Sequence, residues 1–324
     1  MSEPKYSVQG AKRPPIPHFV APIDETPIKA VDAVQIKAKK SNLWLDAWRD
    51  MRVRPMFWIS AAIILLVALV SLFPTLFTQI DPRSCALTNS NGAPAAGHPL
   101  GFNKQGCDVY SRIIYGAPTS VTVGLIVVAI TFVFGTVVGA VSGFFGGKID
   151  TVLSRVGDIF FSIPYILAAV VVMSVMSDYR NPLVIAFAIG GFSWPITARI
   201  VRSEILRVRS ADYVMAAEAL GLSRVATLVR HVLPNALAPA IVVTTLSLSS
   251  AIVAEATLSF LGVGLPPGSF ISWGNDISAA QLSLRTDPMP LIYPSLALTI
   301  TVLGFILLGE VVRDALDPKA RARR

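Results

Sequence analysis

The chain of 324 residues carries three histidines, His18, His98 and His231, and two cysteines, Cys85 and Cys107. Metal centres and Ser-His-Asp hydrolases need such groups gathered on one face, within ligand or hydrogen-bond reach. Here the histidines fall in three separate polar segments, and no spacing supports a metal site or an activated nucleophile. A nucleotide-phosphate loop needs glycines running into Gly-Lys-Ser or Gly-Lys-Thr ahead of a helix. The nearest match, Gly146-Gly147-Lys148, continues into Ile149 and reads as a turn with an interfacial lysine. The chain is therefore expected to be a non-enzyme that binds no cofactor of its own, and any energy it uses must come from elsewhere.

Hydrophobic residues make up 53% of the chain and charged residues 15%, against roughly 45–50% and about 25% in ordinary globular proteins. Charge is absent from residues 55–80, 113–147, 159–177, 181–198, 231–254 and 288–309. About 20 helical residues cross a ~30 Å hydrocarbon core, so each run is long enough to span a membrane. The expected fold is an all-α integral membrane protein with six transmembrane helices. A large soluble core would have to produce that length six times over. The net charge of +8 does not point to nucleic acid once position is considered. With the amino terminus inside, 23 of the 28 basic residues lie on inner segments, which places both termini in the cytoplasm.

Residues 1–40, rich in Pro, Lys and Ala, are expected to form a disordered cytoplasmic tail. Residues 41–56 follow as an interfacial amphipathic helix, with Trp44, Leu45, Trp48 and Met51 at helical spacing. A six-span domain over 57–310 has expected crossings at 57–77, 120–144, 159–176, 183–197, 238–261 and 291–308, and 311–324 form a cytoplasmic C-terminal tail. The run from Ile113 would make ~52 Å of helix, too long for one crossing. Pro118 is expected to divide it into an outer helix at 108–116 and the second span, whose Gly124, Gly135, Gly139 and Gly143 permit close packing. Cys85 and Cys107 share an outer segment on the oxidising side, where they either close a disulfide or remain two free thiols.

Between the fourth and fifth spans, the coupling loop 199–237 holds six arginines. Asp212 can cap a helix running through Glu218, Gly221 can end it, Ser223 can cap a second, and Pro234 is expected to break that one. Two short helices meeting at a glycine make a compact projection for docking another protein through Ala216, Ala217 and Ala219.

This loop resembles the E-A-A…G…I-x-L-P signature of ABC-importer permeases. Ala216, Ala217, Gly221, Leu233 and Pro234 fall on it, while Met215 replaces the Glu and His231 the Ile. H-V-L-P-N at 231–235, G-G-K-I-D at 146–150, A-R-I-V-R at 198–202, L-S-F-L-G at 258–262, S-W-G at 272–274 and R-D-A-L-D-P-K at 313–319 look like the C-type permeases of dipeptide and oligopeptide importers. The resemblance, over residues 43–319, implies a type I ABC importer permease in a bacterial cell membrane. It implies ATPase contacts at Asp212, Tyr213, Met215, Ala216, Ala217, Glu218, Gly221, Leu233, Pro234 and Asn235. It also implies a B-type permease partner, two ATP-binding cassette subunits holding ATP and Mg, and an extracytoplasmic peptide-binding protein. Cys107 stands where that family usually has the Arg of G-R-D, so contacts of that Arg are not carried over.

Glu255 is the one acid well inside an expected span, and a charge there must face protein or a water-filled cavity. It is either a gate or path-lining acid or a structural acid bonded to a neighbouring helix. Arg155 with Asp158, and the cluster of Glu310, Arg313 and Asp314, read as anchors at inner span ends. The rival functions are the same architecture carrying a nickel chelate, glutathione or another small solute, a self-contained secondary transporter, and a membrane scaffold or receptor without flux. A secondary transporter would show paired broken helices or an inverted repeat with midplane charges, and the sequence has neither.

Overall fold

The computed structural model describes residues 43–316. The tail expected at 1–40 and the last eight residues of the C-terminal tail lie outside them. The helices, in chain order, are α1 (Leu43–Met51), α2 (Pro55–Leu72), α3 (Val109–Phe145), α4 (Gly147–Ser162), α5 (Tyr165–Val175), α6 (Pro182–Arg209), α7 (Asp212–Ala219), α8 (Arg224–Thr227), α9 (Leu233–Phe260), α10 (Trp273–Ala280) and α11 (Met289–Leu316). Five apolar helical runs are long enough to cross a membrane, and the bent pair α4–α5 makes a sixth when taken as one crossing. The protein is an all-helical, multi-pass membrane protein.

Close approach of α3 and α6 organises the bundle. A Cβ at Gly135 would meet Thr197 and the Trp194 carbonyl, one at Gly139 would meet Ala198 and Val201, and one at Gly143 would meet Arg202 and Ile205. About three turns nearer the start of α3, Gly124 admits Ile252 and Leu248 of α9. Lipid tails are as apolar as leucine, so tight packing, rather than removal of apolar surface from water, holds such helices together. Toward the start of α9 and the end of α11, Ala47 of α1 is buried with Ala238 and Val242 of α9 and Ala315 and Leu316 of α11. Arg54, just before α2, bonds Asp314 of α11 (2.6 Å) and Asp50 of α1 (2.8 Å). That pairing gives Asp314 a partner outside its own cluster.

Four expectations about prolines need correction. Pro118 does not divide the long run, for α3 continues through it over 37 residues. An internal proline removes one backbone bond, but buried residues before and after it, Ala117, Ser120 and Val121, hold the helix in the bundle. Gly116 lies against Trp273 and Ala117 is buried. Conversely, the third crossing is not one straight segment from 159 to 176. Pro164 separates α4 from α5, and the two axes diverge by 79°. The first span ends at Leu72, before Pro74, rather than near Phe77. Pro234 does not end the second loop helix, because α8 runs through a π-helical turn at Leu228–Val232 into α9. The wider turn bonds the Leu233 N–H to the Leu228 carbonyl, and the Asn235 side chain covers the His231 carbonyl (2.7 Å).

Candidate functional site

The loop between α6 and α9 folds as a hairpin of α7 and α8. Ala211 is the residue before α7 and makes no side-chain cap, so Asp212 sits in the first helical turn instead of capping it. There its charge still complements the positive helix end. At the other end the Gly221 N–H bonds the Glu218 carbonyl (2.9 Å) and the Leu222 N–H bonds the Ala217 carbonyl (3.2 Å). This is a Schellman closure, with Gly221 at φ +86° as the left-handed residue it requires. Ser223 then starts α8, its hydroxyl accepting from the Ala226 N–H (3.3 Å).

One side of the hairpin is anchored in the protein. Val214 of α7, with Leu228 and Val232, packs in a buried cluster with Phe144 of α3, Val201, Ile205 and Val208 of α6, and Ala236 of α9. The buried side of the hairpin therefore shares one core with three long helices. The other side is bare. Tyr213, Met215, Ala216, Glu218 and Gly221 are exposed, and Leu220 is 83% exposed. Ala217 is the exception among the residues expected on the docking face. Three positions after Val214, it turns into the core and is buried. Leu233 is half-buried, and Pro234 and Asn235 are exposed where the hairpin passes into α9.

Behind the hairpin lies a polar network whose role composition and spacing did not reveal. Arg202 of α6 bonds both carboxylate oxygens of Asp150, in the first turn of α4, at 2.6 Å each. The hydroxyls of Ser142 (α3) and Ser154 (α4) bond the same carboxylate. Arg209, at the end of α6, donates to the Gly143 and Phe144 carbonyls (3.3 and 2.9 Å), which the end of α3 leaves unpaired. Asp158 pairs with Arg199 at 2.8 Å more closely than with Arg155 at 3.8 Å. The signal was present in G-G-K-I-D and A-R-I-V-R: one acid and one arginine near the ends of uncharged runs.

Between α2 and α3, Cys85 and Cys107 are joined by a disulfide. Arg112 of α3 pairs with Asp276 of α10, Nε to Oδ1 at 2.6 Å, and both side chains are buried. Burial pushes the Asp276 carboxyl up from its ordinary range, and the Arg112 guanidinium beside it acts in the opposite sense. Glu255 is fully buried in α9, accepting from the Ser120 hydroxyl of α3 and the Ser259 hydroxyl, each at 3.0 Å. Ser120 also accepts from the Trp273 N–H (3.3 Å), so this acid sits at the junction of α3, α9 and α10.

Comparison with known proteins agrees with this architecture. The family described as "Binding-protein-dependent transport system inner membrane component" matches residues 135–322. "N-terminal TM domain of oligopeptide transport permease C" matches residues 42–94. The chain is 34% identical over 292 residues to the oligopeptide transport system permease protein OppC of Bacillus subtilis, covering 90% of this chain and 95% of that one. It is 32% identical to the dipeptide permease DppC of the same organism, over 90% of each chain. It is also 33% identical to the glutathione transport system permease protein GsiD of Escherichia coli, over 86% of this chain and 91% of the relative. The chain belongs to the family of inner-membrane components of binding-protein-dependent transport systems, as a C-type permease of the dipeptide and oligopeptide ABC importers.

Proposed function

We propose that this protein forms one half of the membrane pathway of an ATP-driven importer of di- or oligopeptides, and that the α7–α8 hairpin is the handle by which separate ATPase subunits drive it. One observation carries this reading. The hairpin is bare on its outward side, at Tyr213, Met215 and Leu220, and is seated on α3, α6 and α9 on its inward side. An exposed apolar surface on a rigidly based element is what a docking partner needs. Closure of the ATPase pair would push α7, and the unbroken run from α8 through Pro234 into α9 would carry the push into the membrane.

The assembly includes a related B-type permease, two ATP-binding cassette subunits that hold ATP and Mg, and an extracytoplasmic peptide-binding protein. This chain supplies no catalytic group, and both termini lie in the cytoplasm with the hairpin. Asp212, Tyr213, Met215, Ala216, Glu218 and Gly221 contact the ATPase, whereas Ala217 and Leu233 support them from beneath. Glu255 is a structural acid: its carboxylate is satisfied by two serines at a three-helix junction. The dipeptide and oligopeptide relatives favour peptide cargo, and the glutathione relative keeps a short γ-linked peptide as the second reading.

The test is reconstitution of the four-component complex in proteoliposomes with its binding protein outside and ATP inside. Labelled di- and oligopeptides should accumulate only with ATP. Selective uptake of glutathione or a nickel chelate would reassign the cargo, and uptake by this chain alone without ATP would overturn the architecture.

A further inference from the structure

A cavity of about 330 Å³ opens between α3, α4 and α6, beside the tie of Arg202 to Asp150. Arg199 and Arg202 of α6 and Asp158 of α4 line it, together with the apolar Trp194, Val138 and Leu153. Both arginine side chains stay accessible, Arg199 at 47% and Arg202 at 37% exposure. Arg199 is held by two contacts, Asp158 at 2.8 Å and the face of Phe161, 3.9 Å from the ring centroid. A guanidinium fixed in this way is in place before a ligand arrives.

The acids of this region are already taken. Asp150 accepts from Arg202, Ser142 and Ser154, and Asp158 lies between Arg199 and Arg155. Donors are left over, for Nη1 of Arg202 and Nε and Nη1 of Arg199 have no hydrogen-bond partner among the described residues. Three arginines stand against two carboxylates, so the surplus charge is positive. Depth narrows the choice of anion. Arg199 directly follows the uncharged run 181–198 and Asp158 directly precedes the run 159–177, so these charges sit where hydrocarbon gives way to headgroups. A little over one turn deeper along α6, Trp194 lines the cavity and meets Phe134 edge to face at 5.1 Å, and Phe134 is half exposed. A small ion from water would use the donors and leave this apolar shelf bare, whereas a lipid uses both.

We propose that this cavity binds an anionic phospholipid, with its phosphate on Arg199 and Nη1 of Arg202 and an acyl chain on Trp194 and Phe134. A guanidinium matches the paired oxygens of a phosphodiester, and basic pockets between transmembrane helices are suited to lipid headgroups. A zwitterionic lipid fits less well, because its ammonium meets a region whose spare charge is already positive. The site requires only that the chain spans a membrane, and it is independent of the solute carried. The bound lipid bridges α3 and α6, two of the helices on which the hairpin is seated.

The experiment places the whole purified complex in nanodiscs doped with phosphatidylglycerol that carries a diazirine on one acyl chain, and maps the photolabelled peptides by mass spectrometry. Label should fall on α3 around Phe134 and on α6 around Trp194, and should saturate as the lipid fraction rises. Phosphatidylethanolamine with the same diazirine should label these peptides far less, a comparison that needs no variant. Arg199→Gln removes the donors, and Gly157→Leu fills the cavity from α4, where a Cβ already lies 3.7 Å from Trp194. Each should raise the half-saturating fraction of phosphatidylglycerol about tenfold, the effect of one lost charge-assisted hydrogen bond. Lys148→Gln, which removes an exposed charge outside the cavity, should leave it unchanged. Equal labelling by the two lipids, normal saturation in both cavity variants, or label confined to other helices overturns the site. Inorganic phosphate that abolishes the label would assign the arginines to a soluble anion, and label gained only after removal of the second permease would make the cavity a subunit contact. Either result overturns the lipid.

Discussion

Arg202 grips Asp150 with both arms of its guanidinium, Nε on one carboxylate oxygen and Nη2 on the other, each at 2.6 Å. The planar fork matches the carboxylate as no lysine can. It fastens α4 to α6 ten residues before α7 begins, and Ser142 extends the tie to α3. Arg202→Lys should therefore cost up to about 1.5–3 kcal/mol, the range for hydrogen bonds to charged groups. Thermal unfolding of the purified complex would register the loss, and Asp150→Asn should add little on top of it. Fully additive single and double substitutions would mean that the two residues do not act as a pair.

Gly221 offers a second prediction, in which conformation and space make different demands. A Cβ there would touch nothing, yet φ is +86°. Alanine should therefore oppose the left-handed turn by about 1–2 kcal/mol, valine should be worse because a β-branched residue fits positive φ poorly, and asparagine should be milder. Because the turn sets the angle between α7 and α8, the expected defect is more ATP hydrolysed per peptide imported, with the complex still assembled. If alanine is silent and valine harmful, crowding by a partner decides instead.

Glu255 distinguishes a structural acid from a gate. Glutamine keeps an oxygen for one serine and a polar amide for the other, so Glu255→Gln should leave uptake near its normal rate. Glu255→Leu would strand the hydroxyls of Ser120 and Ser259 in the core at about 1–3 kcal/mol, seen as poorer yield of folded complex. Lost uptake in a well-folded Glu255→Gln complex would point to a gate.

At Gly139 the outcome turns on backbone contact. A side chain there would run into the Ala198 carbonyl and Val201 of α6. Gly139→Val should force α3 and α6 apart and remove most folded protein, whereas Gly191→Val on α6, where a Cβ meets nothing, should be tolerated. Detergent-stable yield by size-exclusion chromatography compares the two. Equal yields would place the α3–α6 contact elsewhere.

Much of this was legible in the sequence because lipid imposes one strong rule. Uncharged runs had to become helices, and the glycines at 124, 135, 139 and 143 had to face neighbours. The glycine-closed hairpin was also readable, since its turn needs a residue free to adopt positive φ. Prolines were not. Pro118, Pro164 and Pro234 give the same local signal, yet the first lies within a continuous helix, the second sits at a bend of 79° and the third follows a π turn. Packing by Trp273 and the bond from Asn235 accompany the first and the third, and both involve neighbours that spacing alone does not identify. The same holds for Asp150 with Arg202 and Arg112 with Asp276, separated by 52 and 164 positions. Ala217 was placed on the wrong side because alanine is equally at home on either.

The most direct measurement is a cysteine crosslink from the hairpin. Leu220 is the most exposed large apolar side chain of α7 and its turn, so Leu220→Cys should crosslink to an ATPase subunit in the assembled complex, with an efficiency that changes when ATP is bound. Labelling of the same cysteine from the outer face of intact cells, or the absence of any crosslink from it in a complex that imports peptide, would contradict the account.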